Sequence, residues 1–95
     1  MANTLLPPEY LARAIVVQMH VQYELVVRVT HSLDVFRNEL VFRIDAQKHL
    51  VHFYLTLRDM EMSLDDLLDK IDVHLVALAR TVGPAYPPEF AENTG

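Results

Sequence analysis

From Val17 to Asp45 the chain alternates. Val17, Met19, Val21, Tyr23, Leu25, Val27 and Val29 share one parity, and Gln18, His20, Gln22, Glu24, Arg28 and Thr30 share the other, interrupted only by Val26. A period of two, rich in valine and tyrosine, predicts a long strand over 17–30 with one wet face. The competing reading is one helix from Glu9 to Thr30. Counting on from Ile15, its apolar face meets Gln18 and Met19, then Gln22 and Tyr23, and the glutamines break the stripe.

A turn around Ser32-Leu33-Asp34 leads into a second strand over 35–45. There Phe36, Leu40, Phe42 and Ile44 face one way, and Arg37, Glu39, Arg43 and Asp45 the other. A third strand over 50–58 points Val51, Phe53, Leu55 and Leu57 inward and His52, Tyr54, Thr56 and Arg58 outward. The connectors are short, so sequential strands pair as antiparallel neighbours.

Helices flank these strands. Pro7-Pro8 can open a helix whose first turn carries Glu9 and whose stripe is Leu11, Ala14 and Ile15, giving roughly two turns. The second helix reads more cleanly. Leu64, Leu68, Ile71, Leu75, Leu78 and Val82 step by four and three, with Leu67, Val76 and Ala79 widening the stripe. Ser63 and Asp66 form a capping-box pattern at its start, and Gly83-Pro84 supplies a left-handed cap and a stop.

The expected fold is α+β with order α-β-β-β-α, a three-stranded antiparallel meander with one face covered by two helices. Residues 1–83 form one domain, followed by a proline-rich tail, 84–95, in which Tyr86 and Phe90 are the anchoring candidates.

Cross-strand charges suggest the registers. In the first hairpin, Arg28 opposite Glu39, Glu24 opposite Arg43 and Val26 opposite Val41 place unlike charges together. In the second, Glu39 opposite Arg58 and Asp45 opposite His52 is preferred on charge over Arg43 opposite His52 and Val41 opposite Tyr54.

Composition narrows the function classes. The chain has 95 residues, 52% of them hydrophobic, and a net charge of −5. The apolar fraction argues for a folded domain, and the acidic balance argues against general binding of phosphate backbones. There is no cysteine, so no thiolate chemistry and no disulfide, which fits a reducing compartment. Its two glycines, Gly83 and Gly95, form no phosphate-binding loop. The opening M-A-N-T-L-L-P-P-E-Y lacks the basic and apolar segments of a secretory signal. No apolar run approaches the ~20 residues a membrane helix needs. The expectation is a cytoplasmic protein, with no membrane partner and no cofactor.

Three clusters carry the candidate chemistry. His20, Asp45 and His52, with Gln22 nearby, fall together on the wet face in the chosen register, where a carboxylate can orient an imidazole base. A solvated sheet face is the simpler reading, and no ligand motif points to a metal. Arg28, Arg43 and Arg58 are candidate anion ligands, although Glu39 already answers Arg28 and Arg58. Val26, Val41 and Tyr54 interrupt the polar face and form a candidate interface. His31, His49 and His74 sit outside these clusters. The acids Asp59, Glu61, Asp65, Asp66, Asp69 and Asp72 read as a solvated side of the last helix, with docking of a basic partner second.

The order of elements resembles that of double-stranded-RNA-binding domains, which implies binding of duplex RNA. The last helix, however, opens S-L-D-D, which repels phosphates. The leading expectation is therefore a small protein-interaction module, an oligomeric adaptor, regulatory or chaperone-like subunit, assembled as a homodimer. A small-ligand binder or enzyme using the His/Asp/Arg cluster comes second. Nucleic-acid binding comes third.

Overall fold

The structure is a computed structural model that describes residues 5–82. Its elements are α1 (Pro8–Tyr23), β1 (Arg28–Asp34), β2 (Glu39–Ala46), β3 (His49–Thr56), a short 3-10 turn over Asp59–Glu61, and α2 (Leu64–Val82). The fold is α+β with α-β-β-β-α order, and both helices pack against a three-stranded antiparallel sheet ordered β1-β2-β3. Gly83 and the tail 84–95 lie outside the described residues.

The expected strand over 17–30 is corrected. Residues 17–23 belong to α1, residues 24–27 connect, and the strand begins at Arg28. The cause is a helix with apolar residues on two sides. Leu11, Ile15 and Met19 recur every fourth residue and are buried in the core with Ala12. Tyr10, Val17 and Val21 lie on the opposite side and are exposed. Two stripes on opposite sides of a helix make every second residue apolar over Val17–Tyr23, which imitates a strand. Pro8 occupies the first turn, where no amide donor is needed. Glu24 ends the helix in the left-handed region at φ 57°, its N–H donating to His20 O at 3.0 Å while Leu25 N–H donates to Met19 O at 3.1 Å.

Both hairpin registers also differ from the charge-based choices. β1 pairs Arg28 with Asp45, Thr30 with Arg43, Ser32 with Val41 and Asp34 with Glu39. Its loop is Val35–Asn38, displaced from the expected turn at Ser32–Asp34. Asp34 Oδ1 accepts the N–H groups of Phe36 (3.1 Å) and Arg37 (3.2 Å), and Asn38 takes φ 54°. This is the chemistry that aspartate and asparagine bring to turns. β3 pairs Arg43 with His52 and Val41 with Tyr54, the register that the charges disfavoured. The tight turn Gln47-Lys48, closed by Ala46 and His49 with Gln47 at φ 57°, decides it.

The inner sheet face carries Val29 from β1, Leu40, Phe42, Ile44 and Ala46 from β2, and Val51, Phe53 and Leu55 from β3. These pack with Leu67, Ile71, Leu75 and Leu78 of α2 and with the inner stripe of α1. Ser63 Oγ accepts the Asp66 N–H at 3.2 Å, so the expected cap on α2 is present.

Asp59 pins the end of β3 to α2. Its Oδ2 accepts the Thr56 N–H at 2.9 Å, its own N–H donates to Thr56 Oγ1 at 3.1 Å, and Lys70 Nζ lies 3.2 Å from Oδ1. Partial burial pushes this carboxyl up, but the Thr56 N–H, the Lys70 ammonium and the Thr56 hydroxyl together outweigh it and hold the carboxyl below its ordinary value of 3.8. A depressed carboxyl contributes stability above its unfolded value and loses it as pH falls through the folded one. Asp59→Ala is expected to cost about 1 kcal/mol at neutral pH, as loss of a capping residue does. The deficit should shrink below pH 3.8 in urea titrations against the parent chain. A deficit unchanged down to pH 2 would show that the carboxylate charge contributes nothing.

Candidate interaction surfaces

The outer sheet face carries Arg28, Thr30, Ser32 and Asp34 on β1, Glu39, Val41, Arg43 and Asp45 on β2, and Leu50, His52, Tyr54 and Thr56 on β3. The structure distributes the sequence-predicted residues over several elements. His20 and Gln22 sit on α1, away from the sheet pairs. Asp45 lies between Arg28 and Leu50, and His52 lies opposite Arg43. Arg43 and His52 therefore remain neighbours, with Asp45 diagonal to His52. Arg28 and Glu39 stand at opposite ends of the β1–β2 hairpin, and Arg58 follows β3 in the turn before Asp59.

Val26 is in the α1–β1 connector and is 81% exposed, while Ser32 and Tyr54 are the two residues that flank Val41. Val41 is buried within the single chain although it points to the outer face. Arg37 reaches over the Tyr54 ring at 4.0 Å and donates through Nε to Glu39 Oε1 at 3.1 Å. The Glu39 hydrogen bond raises the guanidinium above its ordinary value. This cation–π contact lies over Tyr54, one of the three residues that the sequence marked as an interface.

Two arrangements went unread in the sequence. The first is a row of rings across the inner face. His31 and Phe42 are 5.8 Å apart, Phe42 and Phe53 stack at 5.7 Å, and Phe53 and His74 stack at 4.9 Å. His31 and His74 thus end an aromatic row. Pairing His31 with Phe42 depended on the true first-hairpin register.

The second is a groove between the helices, about 790 Å³ in volume. Tyr10, Ala14, Val17 and Val21 line it from α1, and Leu64 and Leu68 from α2. Arg13, Gln18 and Gln22 also line it. The glutamines that interrupted the sequence pattern are thus the polar residues of a groove wall. With Leu67, Ile71 and Leu75 facing the core, the 100° step of a helix carries Asp65, Asp69 and Asp72 to the side of α2 beyond Leu68. The groove therefore has an apolar floor and an acidic flank.

Among the described residues no group of three or more histidines, aspartates and glutamates is gathered closely enough to hold a metal ion, and no helix is long and apolar enough to cross a membrane. No family model, no curated protein and no solved structure matches this chain.

Proposed function

We propose that this chain is a small protein-interaction module that works as a homodimer and seats an amphipathic helix with basic flanks in the α1–α2 groove. The groove carries the reading. It is concave, apolar and wide enough for a row of side chains, and both walls come from helices already fixed by the core. An amphipathic helix lays its apolar face into such a groove through residues spaced three and four apart. The acids Asp65, Asp69 and Asp72 beside it, on a chain of net charge −5, select lysine or arginine around that apolar face. Apolar exposure along α1 is otherwise unexplained, because Val17 and Val21 contribute nothing to the folded core.

The test uses a fluorescein-labelled peptide of leucine and lysine, written as a helix with one leucine stripe, and the same peptide with glutamate for lysine. Fluorescence anisotropy should show binding of the lysine peptide to the full chain, weakened by salt, and about tenfold weaker binding of the glutamate peptide. The double variant Val17→Asp/Val21→Asp should keep the parent's circular dichroism and lose binding by at least about tenfold. Equal binding of both peptides, or of parent and variant, would remove the groove as the docking site.

A further inference from the structure

We infer that the homodimer forms through the edge of β1, by antiparallel pairing with β1 of a second copy of this chain to make one six-stranded sheet. This inference deepens the dimeric reading above and rests on it.

The edge is open. The Gln47-Lys48 turn closes on Ala46 and His49, which makes that pair and each alternate pair along the hairpin the hydrogen-bonded ones. Thr56 agrees, since its N–H turns away from β2 and reaches Asp59. Residues Glu39, Val41, Arg43 and Asp45 of β2 therefore address β1, through Asp34, Ser32, Thr30 and Arg28. The backbone groups of Val29, His31 and Leu33 point away from the sheet. Among the described residues β2 is the one strand that pairs with β1, and it lies on the other side. β1 holds no proline and shows no bulge in its register, the common devices that protect an edge.

The strand is complementary to itself when reversed. β1 reads Arg-Val-Thr-His-Ser-Leu-Asp. A two-fold axis perpendicular to the sheet and passing through His31 sets Arg28 opposite Asp34 of the second copy, Val29 opposite Leu33, and Thr30 opposite Ser32. Each pair then recurs on the other side of the axis. These are an ion pair, an apolar pair and a hydroxyl pair, the three kinds that stabilise adjacent strands. The faces agree as well. Arg28, Thr30, Ser32 and Asp34 lie on the outer face, and Val29, His31 and Leu33 on the inner one. The outward backbone groups of Val29, His31 and Leu33 meet the same groups of the second copy, so the ladder continues unbroken.

Within the described residues these side chains lack cross-strand partners of this kind. Among the described residues Arg28 makes no salt bridge, and Asp34 bonds only to its own turn. Leu33 is exposed although it points to the inner face. Phe36, 98% exposed in the loop after β1, and Val26, 81% exposed in the connector before it, mark the two ends of the strand. Antiparallel pairing brings Phe36 of one copy and Val26 of the other to the same end of the joined sheet. The other edge, β3, carries no such charged pair and lacks this complementarity.

The chain has no cysteine, so single cysteines report proximity cleanly. Residues on the two-fold axis face their own copies at a Cα separation of about 5.5 Å, within the range a disulfide spans. The full-length His31→Cys protein, treated with diamide and followed on non-reducing gels, should become a covalent dimer at least about tenfold faster than His52→Cys, which sits centrally on the β3 edge. Light scattering should show the parent as a dimer and Arg28→Asp, with unchanged circular dichroism, as dissociating at concentrations at least about tenfold higher. A parent dimer in which His52→Cys links faster, or which Arg28→Asp leaves intact, would overturn the β1 edge while preserving the dimer. A parent that is monomeric at millimolar concentration would overturn both.

Discussion

Phe42→Ala is expected to lower folding stability by about 3–5 kcal/mol, the range for removing a fully buried aromatic ring. Phe42 stands on the central strand with no solvent exposure, stacked on Phe53 at 5.7 Å and beside His31 at 5.8 Å. Residues before and after it on the inner face, Leu40 and Ile44, are held by pairing on both sides, so the sheet cannot close over the gap. A domain of this size has a total stability of order 5–15 kcal/mol, so the variant should unfold in mild urea. Phe36→Ala supplies the contrast. Alternation along the chain gives Phe36 the same face as Phe42, yet Phe36 sits in the loop and is 98% exposed. Its replacement should change stability by no more than about 0.5 kcal/mol. Equal losses in the two urea titrations would mean that the strand extends through Phe36 and that the loop is misplaced.

That contrast shows which parts of the fold were legible. α2 was legible because its apolar residues form one stripe and its start carries Ser63, whose hydroxyl accepts the Asp66 N–H. β3 was legible because Phe53 and Leu55 are buried while His52 and Tyr54 are not. α1 was obscured by its second, outward stripe, which serves the groove rather than the core. Both hairpin registers were misjudged because surface charge pairs are worth little against turn geometry. Asp34, Asn38 and Gln47 carry that geometry, and the first two were readable as turn-formers. Gln47 was not, since glutamine has no preference for the left-handed region it occupies.

The placement of the candidate site residues depends on the same elements. With Val17–Tyr23 helical, His20 leaves the sheet face and joins the exposed side of α1. The cluster with Asp45 and His52 then reduces to the neighbours Arg43 and His52. The groove was hidden for the same reason. Val17 and Val21 were assigned to the buried face of a strand, so nothing in the pattern could present them as a surface. Self-complementarity of Arg28–Asp34 is written in the sequence, but it becomes visible only when those seven residues are known to be one edge strand.

Met19→Asp is expected to unfold the chain, whereas Val17→Asp leaves it folded. On a strand the two residues point to the same face, so the substitutions would act alike. On α1 they diverge by 200°, placing Met19 in the core with no exposure and Val17 on the groove wall, 55% exposed. An aspartate at 19 must either bury an unpaired carboxylate or expose the stripe formed with Leu11 and Ile15, a loss of more than about 4 kcal/mol. An aspartate at 17 meets water and should shift stability by about 0.5 kcal/mol or less. Thermal melts followed by circular dichroism separate the two outcomes. Similar melting of both variants would return Val17–Tyr23 to a strand and dissolve the groove. A folded Val17→Asp protein is also the background against which loss of peptide binding can be assigned to the groove rather than to the fold.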